Sequence, residues 1–460
     1  MARRLVRQVR LNIVDGKTSK RSPRSSYTPR SMAVGQRLRA AIVGIVLGCS
    51  AACTSILGRF SVSPSDSGGP LDASAASDSA CKTSFCASTI AANGNHTCAV
   101  QSTGSVVCWG DDTSGSDGPG GVTGHKMAVV TGLPGPAVSV RVGIDFACAV
   151  MLDASVWCWG DNLYDMLGGE GGVEPDGASM TSATPLKVLP EGSVSDLAVG
   201  SYHACAKLIA GQIKCWGRNG FGQAGVAKML LVDTPTDLDL TDVNSLSAGS
   251  FETCFQRSSV PHAECMGENV YGELGLGNPA DGGAPTDDSP HPVPQAVALD
   301  SSWAGVTSFA HSAGFHMGAV LQSGEVAMWG DDDDGQLGLG SDAGSALATP
   351  ELVPTLTGVT QLSLMQHASC ALRIDQTVWC WGSTAYGETG STANVGPVQA
   401  VPTQVQGLMG VSHIATGSNH VCALLSDGNV ECWGWNASGQ LGRATAAAYD
   451  PAPMPVEYEP

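Results

Sequence analysis

One phrase of sequence recurs seven times in this chain and constrains its fold more than any other feature. The first copy reads Gly94-Asn95-His96-Thr97-Cys98-Ala99-Val100 and closes on Cys108-Trp109-Gly110. Further copies start near Gly143, Gly200, Gly249, Gly314, Leu364 and Gly417. Nine residues after each Trp, or after Met266 in the fourth copy, stands a glycine: Gly118, Gly168, Gly225, Gly275, Gly338, Gly390 and Gly442. A repeat of this length indicates a solenoid, a propeller or an array.

The spacing inside the repeat separates a constant segment from a variable one. From the first Cys position to the glycine the count is 20 residues in six copies and 21 in the fourth, whereas the stretch to the next copy varies from 29 to 43. Within the constant segment, apolar and polar residues alternate with a period of two, which predicts a β-hairpin. Two further short strands per repeat make about four, the content of one propeller blade. We therefore predict an all-β, seven-bladed β-propeller with about four short antiparallel strands in each blade.

The pattern Gly-x-x-His-x-Cys-Ala-Leu, Gly-x-Val-x-Cys-Trp-Gly and Gly-Gln-Leu-Gly resembles the regulator-of-chromosome-condensation repeat. The resemblance covers residues 88–458, or about four fifths of the chain, and implies the seven-bladed propeller of that family. It also implies a domain that binds other proteins. The nucleotide-exchange activity of the founding member is not carried over, because the charge, the export signal and the cysteines of this chain argue against a nuclear or cytosolic role.

Charge is divided unevenly along the chain. Residues 1–52 hold 11 Lys and Arg and one acid, Asp15, so the remainder holds 12 basic and 41 acidic residues, a formal charge of −29. A body this acidic repels nucleic-acid phosphates, so we expect no nucleic-acid partner.

The N-terminal region predicts export. We expect translation to begin at Met32, so that residues 1–31 are a wrongly assigned extension. Residues 32–49 are then predicted to be a signal peptide. Val46-Leu47-Gly48-Cys49 resembles a bacterial lipobox, whose cysteine is acylated, and Cys53 is the alternative lipidation site. The protein is therefore predicted to be a lipoprotein of the cell envelope, in the outer membrane or at the cell surface. Its only contact with the membrane would be the lipid on the cysteine. Plain secretion is the alternative. Residues 50–87, rich in Ser, Asp, Gly and Pro, are predicted to be a flexible linker before the propeller at 88–460.

The cysteines predict disulfides in six of the seven repeats. The fifth repeat has Gly318 and Met328 at the two positions, and the joint loss of both cysteines favours a bond between them. The predicted pairs are Cys98 with Cys108, Cys148 with Cys158, Cys205 with Cys215, Cys254 with Cys265, Cys370 with Cys380 and Cys422 with Cys432, and Cys81 with Cys86 is a seventh. Zinc is the rival interpretation, but nine intervening residues are not a usual zinc spacing, and an exported chain meets an oxidising compartment.

Other side chains that could carry chemistry are better explained by structure. His96, His203, His316 and His420 share one repeat position, but Phe146, Glu252 and Ala368 also occupy it, which predicts a packing role. The run Asp331-Asp332-Asp333-Asp334-Gly335 resembles a calcium loop without its later glutamate, and we interpret it as a solvated turn, with weak calcium binding left open. No catalytic motif stands out. We therefore predict no catalytic residue, no metal site and no cofactor.

The longest insertions indicate where a partner binds. They lie at Gly169–Ala183, Pro279–Pro292 and Ser341–Thr349, at one point of the repeat, and should project from one face. Their acids form the candidate binding face: Glu170, Glu174, Asp176, Asp281, Asp287 and Asp288. We expect a monomeric, non-catalytic scaffold that binds an unidentified and basic protein, although length variation without function explains these loops equally well. The alternative is a propeller enzyme or a carbohydrate-binding protein that acts at the central channel.

Overall fold

The computed structural model describes residues 85–458 except 122, 170–180, 228, 260–261, 278–285, 304, 341–345 and 392–397. These residues form 28 β-strands in seven four-stranded sheets, each an antiparallel meander in which the strand order follows the chain. The propeller and its four strands per blade are therefore confirmed. No helix in this part of the chain is long and apolar enough to cross a membrane.

The first four blades use strands β1 to β16. Blade 1 contains β1 (Ala87–Asn93), β2 (His96–Gln101), β3 (Val106–Gly110) and β4 (Gly124–Val129). Blade 2 contains β5 (Ala137–Val142), β6 (Phe146–Met151), β7 (Val156–Asp161) and β8 (Thr181–Leu189). Blade 3 contains β9 (Val194–Val199), β10 (His203–Leu208), β11 (Ile213–Arg218) and β12 (Leu231–Leu238). Blade 4 contains β13 (Val243–Ala248), β14 (Glu252–Arg257), β15 (Ala263–Asn269) and β16 (Asp287–Ala296).

The last three blades repeat the plan. Blade 5 contains β17 (Val306–His311), β18 (His316–Leu321), β19 (Val326–Gly330) and β20 (Leu347–Leu352). Blade 6 contains β21 (Val359–Leu364), β22 (Ala368–Arg373), β23 (Val378–Gly382) and β24 (Gln399–Gln404). Blade 7 contains β25 (Val411–Thr416), β26 (His420–Leu425), β27 (Val430–Trp435) and β28 (Tyr449–Pro455).

The repeated tryptophan joins each blade to the one before it. Six of these indoles are fully buried, and the Nε1–H of each donates to the carbonyl oxygen of the residue two positions before the repeated glycine of the preceding blade. Trp109 of blade 1 bonds in this way to Gln440 of blade 7, at 3.0 Å, and so helps to close the ring. In blade 4 the indole is replaced by Met266, and the corresponding carbonyl of Gln223 accepts from the Thr253 hydroxyl at 2.8 Å.

The glycine that follows each Trp, or Met266 in blade 4, allows the third strand to pass close to the turn between the first and second strands. Its φ lies between 95° and 124° in all seven blades, a region that L side chains rarely adopt. A Cβ on Gly110 would lie 2.4 Å from the carbonyl oxygen of Asn95 and 2.8 Å from the Cα of His96. A glycine is therefore required at this position.

The cysteine positions face each other across the central hairpin of each blade. In six blades the two cysteines are directly opposite, with Cα atoms 4.0 to 4.1 Å apart and sulfur atoms at disulfide-bonding distance. The structure joins them in the predicted pairs: Cys98 to Cys108, Cys148 to Cys158, Cys205 to Cys215, Cys254 to Cys265, Cys370 to Cys380 and Cys422 to Cys432. Each of these bridges links the second and third strands of its own blade.

Blade 5 fills the same space without cysteines. Gly318 lies opposite Met328, and a Cβ on Gly318 would lie 2.6 Å from the Met328 sulfur and 2.5 Å from Cδ2 of Leu362. The Met328 and Leu362 side chains therefore occupy the volume that the disulfide takes in the other blades.

The N-terminal edge of the propeller lies slightly before the expected residue 88. Phe85 and Ala87 are buried, and the Phe85 ring packs on Trp109 and on Tyr458, with centroids 6.2 and 5.4 Å apart. Cys86 is disulfide-bonded. Its predicted partner Cys81 lies outside the described residues, as do the lipidation candidates Cys49 and Cys53.

Candidate functional site

Two loops of every blade lie together at one end of the propeller. The turn between the first and second strands and the loop between the third and fourth strands are joined in each blade by one backbone hydrogen bond of 2.8 to 3.0 Å. In blade 3, for example, Arg218 N–H donates to the carbonyl oxygen of Tyr202. We call this end the loop face. The three predicted insertions lie in the chain between third and fourth strands, but most of their residues lie outside the described residues, so their projection from this face stays a prediction.

The acidic residues predicted to form the binding face are described only in small part. Glu170, Glu174, Asp176 and Asp281 lie outside the described residues, and the same holds for the side chain of Asp288. Asp287 begins β16, and its carboxylate pairs with Nε2 of His291 at 3.2 Å. The placement of these acids around one binding surface therefore stays a prediction.

Aromatic side chains on the loop face escaped the sequence analysis. One position, four residues before the repeated glycine, carries Tyr164, Phe221, Tyr271 and Tyr386. A second position, just before the repeated histidine position, carries Tyr202, Phe251 and Phe315. All seven side chains are half-buried or exposed. Aligning the seven copies on the glycine would have revealed both sets.

These aromatic side chains contact one another from blade to blade. Tyr164 of blade 2 meets Tyr202 of blade 3 edge to face, with centroids 5.6 Å apart, and Tyr202 stacks on Phe251 of blade 4 at 5.6 Å. Phe221 lies against Phe251 at 5.4 Å. Farther along, Tyr271 of blade 4 contacts Phe315 of blade 5 at 4.8 Å. The result is a cluster of four rings over blades 2 to 4 and a separate pair over blades 4 and 5, and we call the two together the aromatic arc.

Arg218 lies within this arc. Its guanidinium carbon is 5.0 Å from the ring centroid of Tyr164, 5.4 Å from that of Tyr202 and 4.8 Å from that of Phe251. All three distances are within the range of cation–π attraction. The rings come from three consecutive blades, so the position of Arg218 depends on the packing of blades 2, 3 and 4 against one another.

Carboxylates surround the arc. Burial, and after it the charges of Asp161 and Asp111, raise the pKa of Asp145 to about 6. Burial likewise raises the pKa of Glu268 to about 7, with the Arg218 charge acting in the opposite direction. The loop face is therefore acidic around an apolar arc that holds one cation.

The run of four aspartates in blade 5 is only partly the solvated turn that the sequence suggests. Asp331 and Asp332 are buried and hydrogen-bonded within the protein. Asp332 accepts the backbone N–H of Leu337 at 2.9 Å, and Asp331 accepts from Nε2 of Gln336 at 2.9 Å. Asn269 makes the same backbone contact in blade 4 as Asp332 makes in blade 5. Among the described residues, no group of three or more His, Cys, Asp or Glu is arranged to hold a metal ion.

The repeated histidines connect neighbouring blades. The Nε2 atoms of His203, His316 and His420 lie 2.7 to 3.0 Å from a Thr or Ser hydroxyl in the next blade. Burial lowers the pKa of each of these three to about 3, so they are neutral at physiological pH. In blade 1 the next blade offers Ala147, and both ring nitrogens of His96 lack a partner among the described residues. The structure thus assigns these side chains the packing role that the sequence predicts.

The central channel contains a small cavity that is lined mainly by small side chains. Its cavity of about 40 Å³ can hold only a few water molecules. The lining comes from the innermost strands of all seven blades and contains Ala92, Asn93, Val142, Val199, Ala248, Gly249, His311, Ser312, Ala313, Ser363, Leu364 and Thr416. This cavity touches only the ends of the innermost strands, which farther along also carry the buried polar side chains Arg141, Asp196 and His413.

Comparison with known proteins identifies the repeat. The model of the "Regulator of chromosome condensation (RCC1) repeat" matches residues 87–116, 194–223 and 411–440, and a second model of the same description matches 375–424. The mitochondrial RCC1 domain-containing protein RUG3 of Arabidopsis thaliana is 34% identical over 33% of this chain and 35% of its own length. The ultraviolet-B receptor UVR8 of the same plant is 27% identical over 58% of this chain and 59% of its own. The chain thus spans less than two thirds of either relative.

Solved structures agree on the architecture. Human WBSCR16 superimposes with a TM-score of 0.63 at 22% identity, over 76% of this chain and 94% of that one. Prp20p of Saccharomyces cerevisiae superimposes with a TM-score of 0.59 at 20% identity, over 72% of this chain and 80% of that one. At such identities the likeness concerns the fold alone. The described part of this chain is therefore a seven-bladed β-propeller, and the RCC1-repeat models match it over residues 87–116, 194–223, 375–424 and 411–440.

Proposed function

We propose that this chain is a non-catalytic scaffold that binds a basic protein with its loop face, and that it is exported and lipid-anchored through Cys49. The observation that carries the binding proposal is the aromatic arc. Tyr, Trp and Arg dominate binding hot spots, and here two tyrosines, two phenylalanines and one arginine of blades 2 to 4 come together on one face. The fold needs none of them, since other blades carry Ser114, Asp334 or Asn95 at the same positions.

Charge supports a basic partner. The loop face combines Asp111, Asp145, Asp161, Glu268 and the aspartate run of blade 5 around the arc. Complementary charge speeds association and disfavours acidic partners. The pKa values of Asp145 and Glu268 are raised, so each of these side chains carries less than a full negative charge at neutral pH.

Relatives of this fold support binding to proteins as a general use. The structure of Prp20p was described together with its binding to Gsp1p and histones, and yeast RCC1 (Prp20) was also solved bound to Kap60. The chain is too distant from these proteins for any partner to be transferred. The central-channel alternative, an enzyme or a carbohydrate-binding protein, is kept as the second candidate and is tested through glycan binding.

Export rests on the sequence. The apolar segment before Cys49 and the paired cysteines of six blades fit an oxidising compartment, where disulfides persist. Anchoring at Cys49 would leave residues 50–84 as the tether, with Cys53 as the alternative anchor and free secretion as the alternative fate.

Selection from a displayed library of random peptides on the purified chain tests loop-face binding. The test variant replaces three partly exposed aromatics of the arc: Tyr164→Ser, Tyr202→Ser and Phe221→Ser. The matched control replaces three exposed aliphatics at the opposite end, in the turns between second and third strands: Leu152→Ser, Ile209→Ser and Ile374→Ser. We expect selected peptides rich in Lys and Arg, with affinity at least about tenfold weaker for the test variant and unchanged for the control.

Two outcomes would overturn the proposal. One is selected peptides that bind both triple variants equally. The other is failure of the selection together with saturable binding of glycans, which would favour the carbohydrate-binding alternative.

A further inference from the structure

Arg218 reverses the charge of its repeat position. The residue after the Trp-Gly pair is Asp111 in blade 1, Asp161 in blade 2 and Asp331 in blade 5, and Glu268 follows the Met-Gly pair of blade 4. Blades 6 and 7 have Ser383 and Trp435. Arg218 is thus the one cation at a position that carries an acid in four of the other six blades.

The three rings hold the Arg218 side chain in place. Because Tyr164, Tyr202 and Phe251 lie 4.8 to 5.4 Å from its guanidinium carbon, the long side chain is constrained before any ligand arrives. Preorganised groups lose less conformational entropy on binding, so each contact made by the guanidinium contributes more to affinity.

The hydrogen-bond donors of this guanidinium are not used within the described residues. Arg257, Arg373 and Arg443 each pair with a carboxylate at 2.6 to 3.3 Å. Arg141 donates to two backbone carbonyls, both at 3.1 Å. For the Arg218 side chain, by contrast, the described residues provide aromatic faces, and none of their carboxylates lies within 4.0 Å of it. A guanidinium has five N–H donors, and aromatic faces accept none of them as a carboxylate would.

We propose that Arg218 is a docking site for the carboxylate of one acidic side chain of the partner protein. A planar carboxylate can accept two parallel N–H bonds from the fork of the guanidinium. Glu268 lies close enough to feel the charge of Arg218, and a carboxylate with one negative charge meets less repulsion from such an acid than a dianionic phosphate does. This proposal rests on the proposed function: the partner segment is basic around one acid, and that acid sets its register on the loop face.

The test follows the guanidinium directly and needs no knowledge of the natural partner. Nε–Hε resonances of ¹⁵N-arginine-labelled chain are recorded during titration with two probes, the capped peptides acetyl-Lys-Glu-Lys-amide and acetyl-Lys-Gln-Lys-amide. The Arg218→Lys variant identifies the Arg218 resonance. We expect this resonance to shift saturably with the Glu peptide, with an affinity at least about tenfold higher than for the Gln peptide.

Controls separate this proposal from the proposed function. The resonances of Arg257 and Arg373, which are already paired, should stay in place, and Arg218→Lys should lose most of the preference for Glu over Gln while its thermal melting stays unchanged. Equal response of Arg218 to both peptides, or no response to either, would overturn the carboxylate site. Loop-face binding itself is judged by the library selection, which can succeed whether or not Arg218 responds.

Discussion

Glu273 gives the most quantitative prediction about stability. Its side chain is fully buried, and it stands where blades 3, 5 and 7 carry Gln223, Gln336 and Gln440. One oxygen, Oε2, accepts the backbone N–H of Tyr271 at 2.9 Å, as the glutamine Oε1 atoms do in their own blades. The other oxygen, Oε1, has no hydrogen-bond partner among the described residues.

Protonation of Glu273 therefore accompanies folding. Burial raises the pKa of Glu273 from 4.5 to about 8, with a further contribution from the charge of Glu268. A group whose pKa is raised in the folded state contributes stability that is fully present below about pH 4.5 and is lost as the pH rises towards about 8. At about 1.4 kcal/mol per pH unit, the loss reaches about 3 kcal/mol at pH 7 as an upper bound.

The substitution Glu273→Gln removes this pH-dependent cost. The new amide can donate to Glu268, just as Nε2 of Gln336 donates to Asp331, the residue at the same repeat position, at 2.9 Å. We expect wild type and variant to unfold at similar urea concentrations near about pH 5, and the variant to be more stable by about 2–3 kcal/mol near pH 7. The measurement is urea unfolding followed by tryptophan fluorescence at several pH values.

Glu388→Gln in blade 6 is the matched control. Burial also raises the pKa of Glu388, but hydrogen bonds from the backbone and from Ser383 act against the shift. A smaller gain is expected there. A constant stability difference at all pH values, or a Glu273→Gln variant that is less stable than wild type at neutral pH, would refute the reasoning.

Three further predictions concern single positions. Asp117→Leu should raise the free energy of unfolding by about 1–3 kcal/mol in urea at neutral pH, because both carboxylate oxygens of Asp117 are buried without a partner among the described residues. An unchanged free energy of unfolding would contradict this prediction. The double substitution Gly318→Cys and Met328→Cys should add a seventh hairpin disulfide, which thiol titration would detect. Its stabilisation should be less than about 3 kcal/mol, because Leu362 must move, and unfolding with and without reductant measures it. Mass spectrometry of the protein from its native membrane should find an acylated N-terminal Cys49; a lipid on Cys53, or none, would contradict this.

The fold could be predicted because its determinants repeat. The Trp and the cysteine pair, such as Trp109 with Cys98 and Cys108, each recur in six of the seven blades, and a side chain that recurs so regularly serves the packing common to the blades. The hairpin register followed from the same spacing, since residues ten apart on a tight hairpin face each other. The filling of blade 5 by Met328 and Leu362 could not be predicted, because it depends on the three-dimensional neighbours of one position.

The site was harder to predict because it depends on residues that do not repeat. Tyr164 and Phe221 share a position with Asp334 and Ser114, so a search for recurring residues passes over them. The stacking of Tyr202 on Phe251 joins residues from neighbouring blades, and Arg218 gains its three rings only when blades 2, 3 and 4 pack together. The aspartates of blade 5 were misjudged for a related reason: Asp332 replaces an asparagine that binds backbone, and its charge suggested solvent.

Hydrogen–deuterium exchange of the chain with a selected peptide tests the central claim most directly. The account predicts slower exchange in the first-to-second-strand turns and the third-to-fourth-strand loops of blades 2 to 4, around Tyr202 and Phe251, with no change in the turns at the opposite end. Protection confined to the innermost strands, around Val199 and His311, or to the opposite end, around Ile209, would contradict it.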